Sequence, residues 1–71
     1  MDKNFIIERI SENLLIQRRR KNLTQEAVAE AAGISTKYYN LIENGRTNPS
    51  ITNIVNICNA LDIELSALMH E

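Results

Sequence analysis

Hydrogen-bonding and cationic side chains crowd into residues 24–48 of this 71-residue chain: Thr24, Gln25, Ser35, Thr36, Lys37, Tyr38, Asn40, Asn44, Arg46 and Asn48. Amides, hydroxyls and two cations suit non-covalent recognition, because they donate and accept hydrogen bonds and neutralise anions without making bonds. Covalent catalysis has no candidate. The chain offers no Ser/His/Asp or Cys/His set in plausible proximity, no glycine-rich phosphate loop and no prospect of a cleft of useful size, so an enzyme is not expected. Its single cysteine, Cys58, and single histidine, His70, stand at no metal-ligand spacing. No internal disulfide, metal or other cofactor is therefore expected, and Cys58 reads as a small core residue.

The elements that must hold these side chains are legible from caps and periodicity. Thr24 can cap a helix over 25–32, Gly33 tolerates the positive φ of a sharp exit, and Ile34 can drop between that helix and the next. Ser35 caps the second helix at once. Within it Tyr39 and Ile42 sit three apart on an inward face with Ile34 and Val28, leaving Thr36, Lys37, Tyr38, Asn40 and Leu41 on other faces. Two helices joined by the Ala32-Gly33-Ile34 corner are the layout of a helix-turn-helix, whose polar outer face suits reading of a groove. Ahead of them, a helix from Asn4 or Phe5 to Lys21 carries Ile7, Ile10, Leu14 and Arg18 on one stripe, and Asn22 takes the C-cap role usual for glycine. Residues 44–49 form a loop ended by Pro49. Ser50 then caps a fourth helix whose Ile51, Ile54, Ile57, Cys58 and Leu61 continue the core. Asp62 stands at the following corner, and a last short helix carries Leu65, Leu68 and Met69. That helix has Glu64 at its N-cap, so it is weakly started, and His70 and Glu71 should fray.

Length and 44% apolar composition allow one globular domain, residues 1–71. No apolar run approaches the roughly 20 residues that span a bilayer, and the first residues lack a basic flank and a small-residue cleavage site, so a cytoplasmic protein is expected with no membrane partner. The net charge of −1 hides a polarity. All eight basic residues lie within residues 1–46, where six acidic residues leave +2, whereas residues 47–71 carry −3. A cationic surface near Lys37 and Arg46 with an acidic far side fits double-stranded DNA without a high overall pI.

Leu23-Thr24-Gln25, Ala29, Gly33, Ile42-Glu43-Asn44-Gly45 and Asn48-Pro49-Ser50 together resemble the Cro/phage-repressor type of helix-turn-helix, also called the xenobiotic-response-element family. The resemblance runs roughly from Ile10 to Met69. It implies an all-α, lambda-repressor-like domain, a compact bundle of five helices, with the third helix in the DNA major groove. It places Arg18 and Glu43 as an ion pair between the first helix and the end of the third. It implies phosphate contacts by Gln25, Asn44, Arg46 and Asn48, and base reading by Ser35, Thr36, Lys37, Tyr38, Asn40 and Leu41. For Asn40 a backbone phosphate is an alternative target, and for Tyr38 a packed surface position is. Small family members act as transcriptional repressors or operon controllers. A monomer of this size covers only one half-site, so a homodimer on a palindromic operator is expected, with Val55, Asn59, Leu65, Leu68 and Met69 at its interface. Leu65 and Leu68 have a second reading as monomer core. Phe5, Ile16 and the overall acidity support a different use, an antitoxin-like module that neutralises a protein partner.

Overall fold

The computed structural model describes residues 3–70; Met1, Asp2 and Glu71, which bound the expected domain, lie outside the described residues. Four α-helices follow in order: α1 Lys3–Arg20, α2 Gln25–Ala32, α3 Thr36–Glu43 and α4 Ile51–Leu61, and a 3-10 helix, Leu65–Leu68, closes the chain. The described residues are all helix and loop. The expected fifth α-helix is instead this single 3-10 turn. Glu64 makes no side-chain capping bond there, and four residues are too few to nucleate an α-helix without one.

Each start and stop has a local cause. Thr24, Ser35 and Ser50 accept hydrogen bonds from the amides of Ala27, Tyr38 and Asn53 at 3.0, 3.0 and 3.2 Å, satisfying donors that have no partner within their helices. All four α-helices stop in the same way. A left-handed residue follows each, namely Asn22, Gly33, Gly45 and Asp62, with φ between 55° and 75°. The next residue's amide then reaches back to a carbonyl five positions earlier: Leu23 to Arg18, Ile34 to Ala29, Arg46 to Leu41 and Ile63 to Cys58, at 2.9–3.2 Å. Asn and Asp tolerate this conformation better than other side chains, which is why they can replace glycine at two of the four corners. Gly45 answers a second constraint, since a Cβ there would lie 3.2 Å from Ser11 Oγ on α1.

One core joins every element. Leu14 of α1, Val28, Ala29 and Ala32 of α2, Tyr39 and Ile42 of α3, Ile54, Ile57, Cys58 and Leu61 of α4, and Leu68 of the 3-10 turn are all buried. Alanine at 29 and 32 brings α2 close to α4 and α3. Leu23, Ile34 and Ile63, the residues just after three of the helix corners, pack on the edge of this core. Of the two residues expected to fray, Glu71 lies outside the described residues and His70 is exposed, with its carbonyl bonded to α1. Asn13 of α1 donates from Nδ2 to the carbonyls of Leu68 and His70 at 2.7 and 2.8 Å, holding the 3-10 turn against α1.

Arg18 and Glu43 close the bundle from the other side. Arg18 Nε and Nη2 donate to Glu43 Oε2 and Oε1, both at 2.8 Å, and Nη1 donates to the Leu23 carbonyl at 2.8 Å. Both side chains are largely buried. Burial pushes the Glu43 carboxyl up, but the hydrogen bonds from Arg18 and Gln25 and the Arg18 charge outweigh it and hold the pKa below the ordinary value. The Tyr39 hydroxyl beside them has no hydrogen-bond partner, and burial together with the Glu43 carboxylate keeps it protonated.

Two outcomes follow for stability. Leu14 is fully buried at the meeting of the elements, so Leu14→Ala should cost about 2–5 kcal/mol in urea unfolding. Because Glu43 ionises more readily folded than unfolded, its contribution is present above the ordinary carboxylate pKa of 4.5 and is lost as pH falls through the folded value. Melting temperature should therefore drop on acidification below that point, and the double variant Arg18→Met/Glu43→Leu should show a shallower drop.

Candidate nucleic-acid interface

Helix α3 presents its polar face to solvent because its apolar residues are spent on the core. Thr36, Lys37 and Asn40 are exposed and, at spacings of three and four, lie on one face. Leu41 is half-buried beside them. Ser35 is exposed, but its hydroxyl oxygen is already the α3 cap. Tyr38 is half-buried against the core, and its hydroxyl accepts a hydrogen bond from Asn53 Nδ2 of α4 at 3.2 Å. It thus braces α3 on α4.

The α2 N-terminus stands beside this face. Gln25 bridges the two helices, donating from Nε2 to Glu43 Oε1 at 3.1 Å and accepting at Oε1 from Asn40 Nδ2 at 3.1 Å. Asn44, just past α3, donates from Nδ2 to the Asn40 carbonyl at 2.8 Å and is exposed. Arg46 and Asn48 are exposed in the loop that follows. Arg46 occupies the position where the other three corners put Leu23, Ile34 and Ile63 onto the core. The repeating corner geometry thus carries an exposed cation here and an apolar side chain at the other three corners. Arg19, Arg20 and Lys21 add exposed cations at the end of α1, and the Arg18 bond to the Leu23 carbonyl ties that end to the start of α2. The structure therefore links Gln25 and Asn40 to the Arg18–Glu43 pair, with Thr36 and Lys37 on the same α3 face as Asn40, Asn44 just past α3, and Arg46 and Asn48 on the adjoining loop. Such a surface can lay amides and cations along phosphate while the α3 face enters a groove.

The five residues expected at a dimer interface separate. Val55, Leu65 and Met69 are 42%, 40% and 48% exposed, and Asn59 is exposed. Leu68 is fully buried and belongs to the monomer core, because in the 3-10 turn it points inward against α1 and α4. Phe5 and Ile16 are also exposed, with the Arg9 guanidinium 4.8 Å from the Phe5 ring centroid.

Sequence reasoning missed three polar clamps: Gln25 to Asn40, Asn53 to Tyr38, and Asn13 to the chain's end. Asn13 and Asn53 did carry a signal, since asparagine inside a helix is a poor helix former and invites a search for what its amide holds. Among the described residues no group of three His, Cys, Asp or Glu could hold a metal ion, and no helix is long and apolar enough to cross a membrane. An apolar groove between α1 and α4, lined by Ile6, Ile7, Ile10, Pro49, Ile51 and Ile54 among others, holds about 160 Å³. Small-molecule sites usually need roughly 300–1,000 Å³.

Comparison with known proteins agrees with this geometry. A sequence profile of the helix-turn-helix family matches residues 14–68. The chain is similar to the HTH-type transcriptional regulator YqaE of Bacillus subtilis, 39% identical over 59 residues covering 83% of this chain and 51% of that one. It is similar to the cryptic phage CTXphi transcriptional repressor RstR of Vibrio cholerae, 38% identical over 60 residues covering 84% and 54%. It spans about half the length of these curated relatives. Among solved structures, the restriction-modification controller protein C.AhdI of Aeromonas hydrophila superposes with a TM-score of 0.84 at 34% identity, covering 87% of this chain and 94% of that one. The chain belongs to the helix-turn-helix family, in its Cro/phage-repressor form.

Proposed function

We propose that this protein is a sequence-specific DNA-binding transcriptional regulator, a repressor or operon controller, that binds a palindromic operator as a homodimer. The observation that carries this reading is the exposed Thr36/Lys37/Asn40 face of α3, fixed to the start of α2 through Gln25 and flanked by Asn44, Arg46 and Asn48. Lys37 reads base edges by donating to guanine O6 or N7, and Thr36 meets a thymine methyl. Gln25, Asn44, Arg46 and Asn48 grip phosphate on either side and set the register. The relatives named as a transcriptional regulator and a transcriptional repressor support a regulatory role.

One α3 helix reads a single half-site of a few base pairs, which is too little to stand out in a genome of competing sequence. Pairing about a two-fold axis places two α3 helices about 34 Å apart, on successive major grooves of one DNA face. The exposed Val55, Asn59, Leu65 and Met69, on α4 and the chain's end, supply the self-complementary surface.

Two measurements test this. Purified protein selected against random duplexes should enrich a palindrome whose affinity falls steeply with salt, by roughly one logarithmic unit of slope per phosphate neutralised. A pool that stays unenriched, with weak and uniform binding, overturns the reading and puts a protein partner, docked through exposed apolar residues such as Phe5 and Ile16, in its place. In sedimentation, the double variant Val55→Lys/Leu65→Lys should be monomeric where the parent is dimeric, and should bind the operator at least tenfold more weakly. An unchanged dimer would move the interface elsewhere.

A further inference from the structure

An ionised carboxylate only accepts hydrogen bonds, whereas a primary amide has one accepting and one donating end. Glu43 is ionised against Arg18, so Gln25 must turn its Nε2 towards Glu43 Oε1, as the 3.1 Å contact shows. That leaves Gln25 Oε1 facing α3, where only a donor suits it, and Asn40 answers with Nδ2 at 3.1 Å. The polarity of a buried ion pair is thereby passed through one amide to the next. Asn40 ends with its Oδ1 and its second Nδ2–H uncommitted among the described residues, on an exposed side chain. It shares the face of Thr36, one turn earlier, and Lys37. Of the polar residues on that face, Asn40 is the one whose head group is oriented by bonds leading into the core.

An acceptor beside a donor, at amide spacing, matches one base edge in the major groove. Adenine offers N6–H to the Oδ1 and N7 to the Nδ2–H, whereas guanine shows two acceptors and opposes the Oδ1. We infer that Asn40 is a specificity-determining residue that selects one adenine in each half-site, with Gln25 as the positioning residue that prevents its amide from turning over. The inference rests on the proposed binding of the α3 face to operator DNA. It gives Asn40 a base instead of a phosphate, and it gives Gln25 a second duty beyond its phosphate grip.

The test compares sequences selected from random duplexes by the parent, Asn40→Ala, Asn40→Asp and Gln25→Met. The parent should demand adenine at one symmetric position, and Asn40→Ala should lose about 5- to 150-fold of that preference while leaving the other positions intact. Asn40→Asp, with acceptors only, should shift the preference there towards cytosine, whose N4 amine donates. Gln25→Met should weaken binding to every duplex and also relax the same position, which a purely phosphate-gripping residue would not do. Placing 7-deazaadenine at that position should weaken the parent by a similar factor and leave Asn40→Ala unaffected, and the parent half of this measurement needs no variant to fold. If the parent enriches a palindrome and Asn40→Ala weakens all sequences equally, or 7-deazaadenine at every adenine is tolerated, the inference falls and operator binding stands. If the parent enriches nothing, both fall.

Discussion

Taking the Arg18 guanidinium and the Glu43 carboxylate out of water costs several kcal/mol for each ion, and two parallel hydrogen bonds at 2.8 Å, a third from Arg18 to the Leu23 carbonyl and one from Gln25 to Glu43 make that placement tenable. Ion pairs of this kind add little to stability compared with apolar side chains of the same volume. What they add is angular definition, because a guanidinium fork fits a carboxylate in few ways. Here the fork joins α1 to the last residue of α3 and to the turn before α2, so three elements share one orientation. Gln25 and then Asn40 take their positions from it in turn, while Asn44 bonds to the backbone carbonyl of Asn40. The exposed polar face of α3 is thus referenced to the core through polar contacts as well as through Tyr39 and Ile42.

What could be read in the sequence was what is decided within a few residues. The Thr24, Ser35 and Ser50 caps, the glycine corner at 33, and the replacement of glycine by Asn22 and Asp62 depend on side-chain type at fixed offsets, and they stand in the structure where those offsets put them. Burial of Leu14, Val28, Tyr39, Ile42, Ile57 and Leu61 followed from helical period. The amide clamps were hidden because they depend on how helices distant in sequence come to lie. Asn53 and Tyr38 are fifteen residues apart and Asn13 and His70 fifty-seven, and no periodicity links them. The last element was misread for a different reason. Over a single turn, periods of 3.0 and 3.6 residues select nearly the same positions, so spacing alone could not say whether Leu65, Leu68 or Met69 faced inward or whether the turn was α-helical.

The four helix corners also separate architecture from function. One backbone device, used four times, puts an apolar side chain onto the core after α1, α2 and α4, and an exposed arginine after α3. The scaffold does not need Arg46 to close its corner, since the backbone bond to Leu41 does so. The side chain at that position is therefore free of folding duty.

The clamp by Asn13 has a similar freedom at the other end of the molecule. Its amide holds the carbonyls of Leu68 and His70, atoms that every residue type carries. Apart from the inward Leu68, the closing turn is fastened without reference to its side chains. Leu65, Ser66 and Met69, all exposed, can change identity while the backbone stays where it is, so the outer surface of this end can be rewritten without first solving the fold again.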